Sequence, residues 1–280
     1  MTHHTRSAAL VALTAFALSA CGVPSQVEPA DAPPVVTETP TPAPAVMPTP
    51  VTSATTWNDE TPVGQIVAEA PSAARLFELL EIDYCCGGER TLGEVATKGG
   101  HDVAKLISTL RAMGPEQTGG ATRAWADAPL EEVMAHIVDT HHAYLRRELP
   151  RLEKVVATVV RVHGDEHEEL AEVGELFTAL KAEIGPHLKM EEDELFPAIL
   201  ERKPGANKLL DEMSTDHDGV GAALHRIREL TSDFAVPEGA CVLYKQMLSG
   251  LEALERDLHT HVHLENNVVL PRARAALRDA

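Results

Sequence analysis

The sequence predicts an all-α protein: an up-down four-helix bundle preceded by a small helical domain and a disordered Pro/Thr/Ala-rich tether. Three observations predict it. Apolar residues recur at three- and four-residue steps through the second half of the 280-residue chain, the mark of a buried helix stripe. Short breaks at Gly164 and at Pro204-Gly205 separate the long helical stretches, and short turns between long helices make antiparallel neighbours. Aromatic residues make up only 4 % of the chain, so the core must be aliphatic.

The elements follow in order. Arg6 precedes an apolar run from Ala8 to Ala20, which ends in Leu18-Ser19-Ala20-Cys21. That run is too short for a permanent membrane span, and a small residue precedes the cysteine, as signal cleavage requires. Residues 1–20 are therefore expected to be a lipoprotein signal peptide, with Cys21 acylated and the chain exported and lipid-anchored to the cell envelope. An ordinary signal peptide cut elsewhere is the alternative. Residues 21–58 are expected to be a disordered tether, since Val23 to Thr56 is almost entirely Pro, Thr, Ala, Val and Ser, with nine of the 19 prolines between Pro24 and Pro50. Such a composition buries too little apolar surface to offset backbone ordering, and its prolines make it a semi-rigid spacer.

Residues 59–114 read as a small helical domain with helices at Val63 to Ala68, Ser72 to Leu80, Leu92 to Thr97 and Val103 to Met113. Thr91 and Glu94 form a capping box for the third. Between the second and third lies Asp83-Tyr84-Cys85-Cys86-Gly87-Gly88, whose glycines let the backbone turn tightly and expose the thiols. The nearby helix N-terminus would favour a thiolate. Cys85 and Cys86 are thus candidate catalytic thiols, against a reading in which two small apolar residues fill a gap before a turn. Beyond Cys21, only Cys85, Cys86 and Cys241 remain, an odd set that makes no disulfide framework.

Residues 115–127 read as a linker and 128–280 as the bundle. Its first helix carries Leu130, Val133, Ile137, Leu145, Leu149, Leu152 and Val156 on one stripe, with a kink expected at Pro150. The second is expected from Glu166 to Leu200 with Pro186 inside it, the third from Ala206 to Phe234, and the fourth from Pro237 to Ala276.

Chemistry concentrates on these helices. His187 and Glu191 stand four residues apart on the second, and His261 and Glu265 repeat the spacing on the fourth. Four helical steps bring both side chains to one face, so each pair can bind one metal, and two facing carboxylates can bridge two metals. His142 on the first helix and His217 on the third complete a set with a contribution from every helix. Four imidazoles and two carboxylates suit iron better than magnesium, calcium or structural zinc, with manganese left open. His163 lies about 31 Å along the helix from His142 and belongs near the far turn. His136 and His141 point elsewhere on the first helix. His259 and His263 share a face rotated away from the ligands and are expected to be solvated or to support them. The formal net charge of −19, with no Lys/Arg stripe, argues against nucleic acid as a partner.

Taken together, Asp83 to Gly88, Met190-Glu191-Glu192 with Leu195-Phe196-Pro197, Asp216-His217-Asp218, and His263-Leu264-Glu265-Asn266-Asn267-Val268-Val269-Leu270-Pro271 resemble the iron-sulfur cluster repair di-iron proteins, the repair of iron centres family, over roughly residues 59 to 275. The resemblance implies a hemerythrin-like bundle with two non-haem irons, carboxylate-bridged by Glu191 and Glu265 and oxo-bridged, terminal ligands at His142, His187, His217 and His261, and a functional thiol pair at Cys85 and Cys86. It implies protection against nitrosative or oxidative stress, by iron donation to damaged iron-sulfur proteins or by reaction with nitric oxide, peroxide or dioxygen, and leaves room for a homodimer. Two departures stand out. Oxygen-carrying hemerythrins place a further histidine where this chain has Gly221, which leaves an open coordination place, and the family is typically cytoplasmic whereas this chain carries an export signal. A membrane-anchored oxygen, nitric oxide or iron binding module without turnover, and a metal-free adaptor, are the competing readings.

Overall fold

A computed structural model describes residues 57–113, 124–203 and 205–278. The expected signal peptide, the acyl anchor at Cys21 and the tether before Trp57 lie outside those residues, as do residues 114–123 of the linker region. Among the described residues there is no β-strand, only an isolated bridge between Pro62 and Thr91, and no helix is long and apolar enough to cross a membrane.

The small module holds four helices, α1 (Val63–Glu69), α2 (Ala73–Leu79), α3 (Leu92–Gly99) and α4 (Val103–Met113). Its core gathers Val63, Ile66, Phe77, Tyr84, Leu92 and Leu110, and Val262 from the bundle reaches into it. The capping box at Thr91 and Glu94 is present, with reciprocal bonds of 3.2 and 2.9 Å. Packing against the module continues two residues ahead of the expected start at residue 59. Trp57 is buried, its indole N–H donates to Glu69 at 2.7 Å, and Arg111 donates to its carbonyl at 2.8 Å. An indole with its one donor satisfied is worth burying, so this end of the expected tether folds onto the module. The far end of the expected linker is ordered too, because Trp125 stacks on His136 with ring centres 4.4 Å apart and its N–H bonds to the Ala68 carbonyl at 3.1 Å.

Four long rods follow. The first joins α5 (Leu130–His136), a π-helical segment (Ile137–His142) and α6 (Ala143–His163). In the second, α7 (Glu169–Met190) passes through a π segment (Glu191–Leu195) into α8 (Phe196–Leu200). The third is α9 (Ala206–Leu230), and the fourth joins α10 (Val242–Leu264), a π segment (Glu265–Val269) and α11 (Leu270–Arg278). The first rod departs from α geometry ahead of the expected kink: α6 runs unbroken through Pro150, and the irregular turn is Ile137–His142. A π turn takes one extra residue and so re-aims the side chains after it. Each of the three π turns contains a candidate metal ligand: His142, Glu191 or Glu265.

The third helix ends four residues before the expected Phe234. Ser232, Asp233 and Phe234 take left-handed φ values of 49, 63 and 55°. Such a turn costs roughly 1 kcal/mol or more per residue. It is held by the Thr231 hydroxyl, which accepts from the Phe234 N–H at 3.3 Å, and by Arg228, which lies 4.9 Å above the Phe234 ring and pairs with Asp233. The fourth helix starts at Val242 rather than Pro237, with the Cys241 sulfur at its N-cap accepting from the Tyr244 N–H at 3.4 Å.

Two aliphatic clusters fill the bundle. One is built from residues such as Leu145, Leu152, Phe177, Leu188, Leu224 and Leu258, the other from Ile137, Leu195, Met213, Leu264 and Val268. In each rod the candidate ligands lie where one cluster gives way to the other, so the polar site has apolar packing on both sides.

Candidate metal centre

His187 and Glu191 meet as the spacing predicts, with His187 Nε2 3.1 Å from Glu191 Oε1. His261 Nε2 lies 2.9 Å from Glu265 Oε1 in the same arrangement. The remaining two histidines approach the opposite carboxylate oxygens. His142 Nε2 is 3.2 Å from Glu191 Oε2, and His217 Nε2 is 3.1 Å from Glu265 Oε2. His142 Nε2 also lies 3.3 Å from His261 Nε2. All six predicted residues therefore converge, and they sort into two overlapping groups, His142, Glu191, His261 and Glu265, and His187, Glu191, His217 and Glu265, each with its ligand atoms within 4.8 Å of one another.

Both carboxylates are fully buried, and of the four imidazoles only His187 shows appreciable exposure, 12 % of its side chain. Both oxygens of Glu191, Oε2 of Glu265 and Nε2 of His217 lack a hydrogen-bond partner. Two carboxylates buried with three of their four oxygens unbonded, only Glu265 Oε1 being paired with His261, are costly unless a cation fills the space between them. The donor set, with no thiolate and only two carboxylates, fits a borderline transition metal such as iron.

The metal-free electrostatics agree. Burial works against charge at Glu265, but His261 and His217 outweigh it and hold its carboxyl well below the usual range. Burial likewise opposes protonation of His142 and His217, and Glu191 with Glu192 in the first case, Glu265 with Asn266 in the second, reverse that and raise both imidazoles. A metal must displace those protons on binding. Orienting contacts that sequence reasoning missed lie on the outer ring nitrogens. Glu192 Oε1 sits 2.6 Å from His142 Nδ1 and accepts from Arg146 at 2.7 Å, while Asn266 Oδ1 sits 2.9 Å from His217 Nδ1. Position was the available signal, since each directly follows one of the two buried carboxylates, Glu191 or Glu265.

The expectation that His263 is solvated or merely supports the ligands is corrected on exposure. His263 is 2 % exposed, with Nδ1 3.3 Å from the Tyr84 carbonyl and its ring edge-on to Tyr84, and burial pushes its pKa down to about 4. His141 does turn away from the ligand set, but it is buried, stacked on His261 and 3.0 Å from Asp257. His163 lies at the far turn as expected, 3.2 Å from the Cys241 sulfur.

Cys85 and Cys86 lie against this centre, but the thiols are less open than expected. Cys85 is buried and Cys86 half-buried. Their sulfurs are 3.8 Å apart, and Asp83 Oδ1 accepts from both backbone N–H groups at 3.2 and 3.0 Å. The Cys85 thiol donates to the Cys86 sulfur, which raises Cys85 together with burial and lowers Cys86, so Cys86 is the more acidic of the two thiols. The glycines serve close approach and not left-handed turning: a Cβ on Gly88 would lie 2.1 Å from Asn267 Oδ1, and one on Gly87 would lie 2.2 Å from the Arg90 guanidinium. Gly221, on α9, leaves room for the Cys86 sulfur, 3.4 Å from where its Cβ would stand.

Comparison with known proteins agrees with this geometry. Residues 133–273 match the Hemerythrin HHE cation binding domain, and residues 59–113 match ScdA_N, a domain of unknown function. The iron-sulfur cluster repair protein YtfE of Pectobacterium atrosepticum is 34 % identical over 213 residues, which cover 75 % of this chain and 95 % of that protein. Its counterpart in Escherichia coli O157:H7 is 34 % identical over 216 residues, covering 76 % and 96 %, and that of Citrobacter koseri is 33 % identical over the same length and shares. A buried His/Glu constellation inside an all-α bundle, a Cys-Cys-Gly-Gly module against it, and identity that runs across both place the chain in the family of hemerythrin-like iron-sulfur cluster repair proteins.

Proposed function

We propose that this protein holds two non-haem irons and gives up iron to damaged iron-sulfur clusters under nitrosative or oxidative stress. The observation that carries the reading is the division of each carboxylate: Glu191 and Glu265 each present one oxygen to one histidine pair and the other oxygen to the second. His142 and His261 would hold one iron, His187 and His217 the other, with both glutamates shared. Iron held this way supplies an exchangeable, redox-active cation able to take nitric oxide or peroxide as an added ligand.

The chain's own residues do the rest. Glu192 and Asn266 fix the outer nitrogens of His142 and His217, so that Nε2 faces inward in each. The apolar clusters on either side keep bulk water from the carboxylates. At the third-helix position where oxygen-carrying hemerythrins have a further histidine stands Gly221, with the Cys86 sulfur 3.4 Å from where its Cβ would be. A centre with fewer protein ligands parts with metal more readily, which favours donation. The names of the relatives support the same reading, since each is called an iron-sulfur cluster repair protein. The export signal expected at residues 1–20 would place this chemistry at the cell envelope, and cell fractionation with mass analysis of the mature N-terminus tests that part.

The test of the central reading mixes iron-loaded protein with a cluster protein stripped or damaged beforehand. Cluster absorbance returns with the wild type and fails to return with Glu191→Ala and Glu265→Ala. Equal recovery in all three, or metal content far below two irons per chain by metal analysis and Mössbauer spectroscopy, overturns it.

A further inference from the structure

Asn266 stands between the thiol loop and one half of the centre. Its Nδ2 donates to the Cys85 carbonyl at 3.3 Å, and its Oδ1 lies 2.9 Å from His217 Nδ1. A carbonyl oxygen only accepts, so it orients the carboxamide with the NH2 toward Cys85. Oδ1 is then left facing the imidazole, where it also only accepts, so a proton stays on His217 Nδ1 and Nε2, facing Glu265, is the nitrogen that can give up its proton to a metal. The backbone of the Cys-Cys loop thereby dictates the tautomer of a ligand. The loop touches the same residue a second time, since Cys86 Sγ lies 3.8 Å from the His217 carbonyl.

The other half lacks this dependence. His142 is oriented by Glu192 and Arg146, both from within the bundle, and its side chain is fully enclosed. Asn267 reinforces the attachment of the loop, donating to the Tyr84 and Cys85 carbonyls at 3.2 and 3.0 Å. The thiols are reachable, because Cys85, Cys86, Asp218 and Asn266 line a surface cavity of about 400 Å³. We propose that Asn266 is a positioning residue that couples the Cys85–Cys86 loop to the His187/His217 half of the centre alone, so that a change at the Cys86 thiol loosens the metal in that half and leaves the His142/His261 half in place. This rests on the two-iron reading above.

The experiment uses the full chain, iron-loaded, with Cys21→Ser and Cys241→Ser so that Cys86 is the accessible thiol, and follows iron release to a ferrous chelator. Alkylating Cys86 with iodoacetamide speeds loss of one iron of the two by roughly 10-fold or more, the scale on which a group orienting a metal ligand acts. Asn266→Ala speeds the same iron without alkylation, and alkylation then adds nothing. Asn266→Asp keeps an acceptor for His217 Nδ1 but has no donor for Cys85, so release is slow again and no longer responds to alkylation. Reciprocity supplies a readout independent of release: iron loading changes the equilibrium constant for mixed-disulfide formation between Cys86 and glutathione in the parent protein and not in Asn266→Ala. Release indifferent to alkylation, both irons accelerated alike, or Asn266→Asp behaving as Asn266→Ala overturns the coupling. Cluster rebuilding is assayed in parallel. Rebuilding with release that ignores Cys86 and Asn266 sinks the coupling alone, whereas release that obeys them without any rebuilding sinks the donation reading and leaves the coupling intact.

Discussion

His263 makes the stability of the metal-free protein depend on pH with a predictable sign. Its ring lies between the fourth rod and the Tyr84–Cys85 loop, 2 % exposed, with Nε2 lacking any partner. Burial is the dominant influence, the bond to the Tyr84 carbonyl opposes it weakly, and the imidazole falls from 6.5 to about 4. Because the folded form binds this proton less tightly than the unfolded chain, stability rises with pH: the contribution is whole above 6.5 and is lost as pH falls toward 4. At ~1.4 kcal/mol for each tenfold change in proton affinity the full loss is roughly 3 kcal/mol, of which about 2 kcal/mol is gone at pH 5. That is a large share of the ~5–15 kcal/mol that holds a typical domain together.

The perturbation is His263→Gln, which keeps a donor for the Tyr84 carbonyl and cannot charge. Urea denaturation of metal-free wild type and variant is measured at steps from pH 8 to pH 5. His142 and His217, whose proton affinity is raised by folding, contribute with the opposite sign, present at low pH and lost as pH rises, but they do so in both proteins and cancel in the difference. The wild type should lose about 2 kcal/mol more than the variant over that range. Parallel curves would show that the ring takes up its proton in the folded state, and the account of this interface would fail.

Three further outcomes follow from single residues. Glu191→Ala removes an oxygen from each half and should leave less than one iron per chain, whereas His187→Ala should leave about one, both read by metal analysis of the purified proteins. In Gly88→Ala the new Cβ would stand 2.1 Å from Asn267 Oδ1, so Asn267 must move and weaken its bonds to Tyr84 and Cys85; a loss of about 2 kcal/mol, seen as lower melting temperature, is expected. Arg228→Ala leaves the buried Glu255 carboxylate without its two-pronged partner, bonded at 3.0 and 3.1 Å through Nε, and should cost about 2 kcal/mol because Arg228 itself is partly exposed, with iron content unchanged.

Much of the centre is legible in the order of residues alone. The stripe of Leu145, Leu149, Leu152 and Val156 makes the first rod amphipathic, and the four-residue spacing of His187 with Glu191 and of His261 with Glu265 puts each pair on one helical face whatever the rest of the chain does. Those are local consequences of a 3.6-residue turn. Which faces meet is not local. That His142 shares a subsite with His261, and His217 with His187, depends on how four rods are set against one another, and the π turns that aim His142, Glu191 and Glu265 carry no signature a periodicity detects.

His263 and Asn266 show the limit most plainly. By spacing alone His263 lies off the ligand face of the fourth helix, and it is dry because the small module lays Tyr84 and Cys85 over it, the same loop that holds Asn266 against His217. Side-chain spacing determines what one helix can present; burial, tautomer and proton affinity are set by whatever the tertiary structure places opposite, since desolvation is a property of the neighbours and not of the residue.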